Sequence, residues 1–212
     1  MSNRNLLILQ ITLLLFFSNK YLLSQNPFIQ NKGQMPANII SKVNLPSGSL
    51  FIEQGKSVYS FYSAEQLTQV HNLDALSKKI AAHSYSMTFV NSNTNISSEF
   101  FGEGDYFENY FLGNREKWAV QVKTFLSLYQ KNIYNGIDLK YQVENDQLKY
   151  DIIVFPAADV TQIKIKYEGY KEISLEDGSL YISTSVNTIK ESKPFAYQII
   201  NGSQKEVKSM CK

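Results

Sequence analysis

Apolar and polar residues alternate in short runs along most of the chain. In residues 83–90, for example, Tyr85, Met87 and Phe89 fall on one face. A side-chain period of two is typical of a β-strand with one buried face. The same period predicts strands in the runs GSLFIE (48–53), SVYSFYS (57–63), AVQVKTFLSL (119–128) and QIKIKY (162–167).

Two pairs of runs are separated by dipeptides that form tight turns. Asp177-Gly178 lies between two apolar runs, and Asn201-Gly202 lies between two others. Both dipeptides tolerate positive φ, which the two-residue turns of β-hairpins require. We therefore predict a hairpin at each position.

A third hairpin is predicted in GIDLKYQVENDQLKYDIIVFPAAD, residues 136–159. Pairing Val143 with Leu148 places four apolar residues of each strand on one face. A slip by one residue would mix apolar and polar side chains on both faces, so the apolar alignment selects this register.

The two aspartates of this hairpin have a catalytic and a structural interpretation. Asp138 and Asp151 would need to face one cleft about 5–9 Å apart to hydrolyse glycosides. The predicted register instead sets Asp151 opposite Lys140, and Asp138 opposite Ile153, on the outward face. Lys140 would lower the pKa of Asp151. We favour the structural role, with Lys140 and Asp151 as cross-strand charge partners.

Composition supports an all-β interpretation. The chain has 14 tyrosines and 13 phenylalanines, and charged residues make up only 19%. Aromatic residues suit a half-buried pleated surface. We predict a mainly β protein, antiparallel and β-sandwich-like, with two packed lobes over 25–95 and 96–212. Apolar residues at helical spacing predict one or two short helices in 64–80.

The N-terminus has the layout of a secretory signal peptide. Arg4 precedes the apolar run Leu6–Phe17, and polar residues follow. The run is shorter than the ~20 residues of a membrane-spanning helix. We expect cleavage after Ser24, with Gln25 as the second choice and an uncleaved anchor as the alternative. The exported domain would then be 25–212, without a membrane span.

The other end of the chain stops at KEVKSMCK without a turn or polar tail. This ending favours a fragment of a longer protein. Its Cys211 is most simply a small apolar residue of a final strand, and intermolecular pairing of this thiol is the alternative.

Charge excludes one class of partner. The 21 basic and 19 acidic residues give a net charge of +2. A nucleic-acid-binding protein would carry a basic stripe, so no nucleic-acid partner is expected.

The remaining candidate sites are weak as sequence patterns. Glu103, Asp105 and Glu108 could hold Ca²⁺, but their spacing matches no calcium loop, and a solvated acidic loop is preferred. Trp118 could stack on a sugar ring, although aromatic residues near strands more often pack on neighbours. His71 and His83 form no zinc motif, and His83 is expected to make a hydrogen bond at a loop edge. We expect no catalytic residue and no cofactor.

Several segments, taken in order, resemble a known family. They include FIQNKGQMP (28–36), NYFLGNREKW (109–118), LKYDIIVFPAADVTQIKIKYEG (148–169) and DGSLYISTSVNTIKESKPFAYQ (177–198). Together they resemble the N-terminal domain of large secreted Bacteroidota surface proteins, which precedes SBBP β-propeller repeats and a gliding-motility C-terminal sorting domain. One departure is Ala157, where the family has the glycine of a PGAD turn.

The resemblance implies export, secretion by the type IX route and no established catalysis. The expected location is the cell surface or outside the cell, with the periplasm as the alternative. Partners would be other domains of a longer surface protein or components of the envelope. We expect a non-enzymatic structural or interaction module, with an extracellular glycan-binding module and a carboxylate-dependent hydrolase as alternatives.

Overall fold

The computed structural model describes residues 6–15, 27–70, 79–144 and 147–207, with only the backbone described for 11–15 and 69–70. Within these ranges, sixteen hydrogen-bonded strands form one antiparallel sheet. The elements before the middle of the chain are β1 Leu6–Leu15, β2 Phe28–Gln30, β3 Ser41–Leu45, β4 Gly48–Glu53, β5 Lys56–Tyr62, α1 Ala64–Val70, β6 Ala82–Phe89 and β7 Ser97–Tyr110.

The later strands are β8 Ala119–Tyr134, β9 Ile137–Glu144, β10 Gln147–Val154, β11 Ile165–Glu168, β12 Glu172–Glu176, β13 Ser179–Ser183, β14 Thr188–Glu191, β15 Phe195–Ile200 and β16 Ser203–Val207. Short 3-10 helices span Arg115–Lys117 and Val160–Gln162. The prediction of a mainly antiparallel β fold with little helix is confirmed.

Strand β8 joins the two halves of the sheet. The strand order is β11-β6-β5-β4-β3-β2-β8-β9-β10-β1-β14-β13-β12. Because β7 pairs with β8 at both Phe125 and Ser127, β2 (at Phe125) and β9 (at Ser127) must share the opposite edge of β8. One half of the sheet therefore begins at β2 and the other at β9, and both pair with the same edge of β8 at successive positions. The two halves lie face to face as the layers of a sandwich-like fold.

Contacts between strands that are distant in this order show that the layers close on one core. The hydroxyl oxygens of Ser57 on β5 and Tyr141 on β9 are 2.9 Å apart. A single cluster of buried apolar residues combines both predicted lobes, 25–95 and 96–212; the boundary between those lobes stays a prediction. Its largest fully buried side chains are Tyr59, Tyr85, Tyr141, Tyr150, Phe28, Phe61, Phe89, Leu50, Ile52, Met87 and Leu128. Each Phe, Leu, Ile and Met side chain among them stabilises the fold by roughly 1.5–3 kcal/mol through burial.

The two dipeptide turns are confirmed. Strands β12 and β13 pair outward from the Asp177-Gly178 turn, and β15 and β16 pair outward from Asn201-Gly202. The φ angles are 49° and 77° in the first turn and 52° and 76° in the second. Two successive positive φ angles define the type I′ turn, whose twist matches that of paired strands.

The third hairpin consists of β9 and β10, and its register is the one that the apolar positions select. Val143 pairs with Leu148, and Tyr141 pairs with Tyr150. The positions that face the core are buried along both strands from Ile137 to Val154, apart from partly buried Val143 at the turn end.

Residues 98–111 form most of strand β7, so the predicted acidic loop is wrong. Ser97–Tyr110 pairs with β8, and two register shifts interrupt the ladder, between Glu103 and Phe107 and between Glu108 and Tyr110. Bulges absorb extra residues without ending a strand, which is why glycines and clustered charges do not stop β7. The long β7–β8 hairpin is called the ribbon below.

The N-terminal apolar run also lies in the sheet. Strand β1 pairs with β10 on one side and with β15 and then β14 on the other. Cleavage after residue 24 stays a prediction, and residues 1–5 and 16–26 lie outside the described part of the chain, as do His71 and Cys211. No helix in the described ranges is long and apolar enough to cross a membrane.

Ala157, where the resembled family has glycine, has a φ of 68°. This left-handed conformation costs a residue with a Cβ roughly 1–2 kcal/mol, and the greater freedom of glycine in the unfolded chain offsets part of the gain. We expect Ala157→Gly to raise the free energy of unfolding by about 0.5–1 kcal/mol in urea denaturation. Ala158→Gly is the matched control. It should destabilise the protein, because Ala158 packs against the core. Equal effects of the two substitutions would contradict this account.

Candidate interaction surface on the β7–β8 ribbon

The ribbon leaves one strand edge open. Strand β7 pairs with β8, and in the described ranges no strand pairs with its other edge. Strand edges with free N–H and C=O groups are sites where another chain can add. The ribbon therefore presents a strand edge that no described strand covers.

Large apolar side chains are concentrated where the ribbon turns. A set of five surrounds the connection between the two strands, and each is more than two fifths exposed. This set, called the ribbon tip, consists of Phe107 (55% exposed), Phe111 (58%), Leu112 (71%), Trp118 (42%) and Val120 (45%). Exposed apolar residues scattered singly are ordinary on a protein surface, but a contiguous group marks a candidate interaction site.

Contacts within the tip hold its aromatic rings in defined positions. The rings of Phe111 and Trp118 meet edge to face, with centroids 5.0 Å apart and planes at 77°. The guanidinium carbon of Arg115 lies 5.8 Å from the centroid of the Trp118 ring. Trp118 donates its indole N–H to the carbonyl oxygen of Gly113 at 3.3 Å. The tip is thus preorganised, which reduces the entropy lost on binding.

The base of the tip is tied to the sandwich. A small second core buries Ile29, Ala119 and Val122, with Tyr110 packed against it. Lys32 donates from Nζ to the carbonyl oxygen of Val120 at 3.0 Å. The exposed apolar residues therefore stand on an anchored support.

The three acidic residues proposed for calcium lie along β7 with different partners. Glu103 forms an ion pair with Lys123 at 2.7 Å, and Glu108 accepts a hydrogen bond from the hydroxyl of Tyr110. Asp105 is exposed. Among the described residues, no group of three or more His, Cys, Asp or Glu side chains is placed to hold a metal ion.

The two aspartates of the β9–β10 hairpin have separate partners. Asp138 accepts a hydrogen bond from the backbone N–H of Asn132 at 2.7 Å. Asp151 accepts one from Nε2 of Gln142, also at 2.7 Å. Asp151 lies on β10 opposite Lys140, and Asp138 lies on β9 opposite Ile153. The two carboxylates therefore have different hydrogen-bond partners.

Asp151 differs from the prediction in its burial and its pKa. Only 6% of the residue is exposed, and burial raises its pKa to about 6, against the opposing effects of Lys140 and Lys149. The ammonium group of Lys140 lies over the Tyr129 ring, 5.4 Å from its centroid. Asp151 pairs with Lys140 across the strands, as predicted, but its outward placement is wrong. The pKa is raised because desolvation outweighs the attraction of the nearby lysines.

The sequence patterns missed a polar centre inside the sandwich. Glu191 on β14 is only 3% exposed. Its Oε2 accepts hydrogen bonds from the hydroxyls of Tyr150 (3.1 Å) and Tyr167 (2.7 Å). Burial raises the pKa of Glu191, and the two tyrosine hydrogen bonds oppose that shift. One feature of the sequence could have indicated this burial. Glu191 follows buried Ile189 by two residues on the same strand, so both side chains face the same side of the sheet.

His83 makes the loop-edge contact that was expected. Its Nδ1 accepts from the backbone N–H of Ser185 at 3.2 Å, and its Nε2 lies 2.6 Å from the carbonyl oxygen of Gly169. Because Nδ1 accepts, Nε2 carries the proton and donates to Gly169. The histidine joins β6 to two loops.

Comparison with known proteins identifies the family of this domain. Residues 28–211 match the family described as Domain of unknown function (DUF7948). No curated protein and no solved structure matches the chain.

Proposed function

The chain belongs to the DUF7948 family, and we propose that it is a non-enzymatic interaction module of an exported cell-envelope or surface protein. The ribbon tip is its binding surface. The observation that carries this proposal is the grouping of five exposed apolar residues beside an open strand edge. Its resemblance to N-terminal domains of secreted Bacteroidota surface proteins supports the proposed export.

The chemistry of the tip favours a protein partner. Interfaces are enriched in aromatic residues and arginine, and residues of these types dominate binding energy. The tip combines Phe111 and Trp118 with Arg115, and the open edge of β7 can supply backbone hydrogen bonds beside them. A partner that packs on the rings and adds to the edge would use both features.

A glycan ligand is the second candidate, because Trp118 is exposed. Sugar rings stack on exposed aromatic faces, and a flat platform needs coplanar rings. The planes of Phe111 and Trp118 meet at 77°, so only one of the two faces is available to a given sugar ring. This angle favours a protein over a glycan.

The test compares binding of two double variants to envelope fractions of the bacterium that encodes the protein. Phe111→Ser with Trp118→Ser removes the two rings of the tip. Val160→Ser with Leu175→Ser removes two apolar residues of similar exposure elsewhere, at 47% and 54%. We expect the tip variant to lose at least about tenfold in affinity, as for truncated interface anchors, and the control to bind as wild type.

Both variants should unfold within about 0.5 kcal/mol of wild type, since the replaced residues are exposed. Separate protein and polysaccharide fractions distinguish the two candidate ligands. Equal binding by the tip variant and wild type would contradict the proposed surface.

A further inference from the structure

Strand β1 occupies a gap that is bordered on both sides. Leu7–Leu13 pairs with Leu148–Val154 of β10. On its other edge, Leu6–Gln10 pairs with β15, and Leu13–Leu15 pairs with β14. The space between β10 and these two strands is called the β1 slot.

The C-terminal strands depend on the slot being filled. In the described ranges, β15 pairs only with β1 and β16, and strands β14, β13 and β12 join the β10 side of the sheet by strand pairing only through β1. Neighbouring strands lie about 4.8 Å apart, so removing β1 would leave β10 and β15 separated by roughly twice that distance. Neither edge could reach the other without a shift of the C-terminal strands.

Strand β1 lies outside the part of the chain that matches the family. The family match covers residues 28–211 and starts after β1. The predicted signal cleavage after residue 24 would also remove β1. With this cleavage, the exported domain would have the β1 slot and lack Leu6–Leu15 to fill it.

We propose that the exported domain accepts an extended apolar segment of another polypeptide in the β1 slot. The segment lies antiparallel to β10 and completes the sheet as a donated strand. This inference goes beyond the ribbon tip, lies on different strands and depends on the predicted cleavage. Donated strands take their affinity from main-chain hydrogen bonds and their specificity from alternate side chains.

The slot specifies which positions of the donated strand must be apolar. Leu7 and Leu9 pack against the main core and pair with buried Val154 and Ile152. Ile8, between them, lies on the opposite face of the sheet, where it pairs with partly buried Ile153. A donated strand therefore needs apolar residues at the positions of Leu7 and Leu9 and tolerates polar ones at the position between them.

The experiment uses the protein purified after export by its own bacterium, with its N-terminus determined by intact mass. The probe is a synthetic peptide of residues 6–15, with a fluorescent label and lysines appended at both ends for solubility. Two variant peptides carry Leu9→Asp on the core face or Ile8→Asp on the other face. Each variant peptide carries one added negative charge. The two charges lie on opposite faces of the strand, because successive strand positions face opposite ways.

We expect residues 1–24 to be absent and the unmodified peptide to bind. Leu9→Asp should weaken binding by at least about tenfold and Ile8→Asp by less than about threefold, because Leu9, unlike Ile8, packs against the main core. Hydrogen exchange at β10 and β14 should slow on binding. A protein recovered unfolded is refolded with each peptide, and recovery of a cooperative transition with the unmodified peptide but not with Leu9→Asp supports the proposal.

Three results would overturn it. They are retention of residues 6–15 in the exported protein, protection of those β10 amides that point toward the slot and away from β9 before any peptide is added, and equal behaviour of the two variant peptides. The Phe111→Ser with Trp118→Ser variant should bind the peptide as wild type does. A result that overturns the proposal for the β1 slot therefore leaves the proposal for the ribbon tip unaffected. The reverse also holds.

Discussion

Replacing Glu191 with alanine is expected to lower the free energy of unfolding by about 3 kcal/mol, measured by urea denaturation at neutral pH. The substitution leaves the buried hydroxyls of Tyr150 and Tyr167 without their common acceptor. It also opens a cavity in a core that cannot fully collapse around it. Glu191→Gln is the matched control, because the amide keeps the shape and one acceptor oxygen. We expect it to be at least as stable as wild type at neutral pH.

The same pair of variants tests the charge state of this centre. Burial raises the pKa of Glu191 in the folded protein, so the folded state holds its proton to higher pH than the unfolded chain. The stabilisation from that proton is complete below the unfolded pKa and is lost as pH rises through the folded pKa. Wild type should therefore lose stability with rising pH, and Glu191→Gln should lose less.

Asp151 contributes to the pH profile with the same sign. Its pKa of about 6 places its loss of stability between about pH 4 and pH 6. Asp151→Asn should remove only the pH dependence of stability that is due to Asp151. The pH dependence due to Glu191 should remain. A stability that rises with pH through this window in wild type would contradict both assignments.

Gly48→Ala is expected to lower the free energy of unfolding by about 2–3 kcal/mol, through overpacking between β4 and β5. A Cβ at Gly48 would lie 2.2 Å from the carbonyl oxygen of Ser60 and 2.8 Å from Cδ1 of Phe61. The first contact is with backbone, so relief requires the strands to separate. Thermal and urea denaturation would measure the change.

Gly113→Ala is the control for Gly48→Ala. Gly113 has a φ of 68°, and a Cβ there would meet no atom within 4 Å. Its substitution should cost only about 1 kcal/mol, from the left-handed backbone. A larger effect at Gly113 than at Gly48 would show that backbone conformation, and not strand packing, decides the tolerance of these positions.

The hairpins were predictable because their signals are local. Asp177-Gly178 and Asn201-Gly202 supply the positive φ angles of their own turns. In β9 and β10, four apolar positions on each strand admit one register, since a slip by one residue reverses the faces. These elements depend on neighbours within about twenty residues in the chain.

Burial of polar residues was not predictable from the same patterns. Whether Asp151 and Glu191 are exposed depends on which strands cross them, and those strands come from distant parts of the chain. Strand β7 was missed for a similar reason. Its pairing with β8 tolerates two register shifts, so strict alternation is absent from its sequence.

The candidate surface was predictable only in part. Trp118 was singled out as a possible sugar-stacking residue, and packing on neighbours was the preferred interpretation. Its companions Phe107, Phe111 and Leu112 are residue types common in protein cores, yet all three are more than half exposed at the end of the ribbon. An exposed apolar patch is defined by tertiary structure, which no local period encodes.

Site-specific photo-crosslinking in living cells tests the central claim, that the ribbon tip is the binding surface, most directly. A benzophenone amino acid would replace Phe111 in one protein and Leu175 in a control, both exposed by more than half. We predict a discrete crosslinked product from position 111, absent from position 175 and lost when Trp118 is also changed to serine. Equal products from both positions, or none from position 111, would contradict the account.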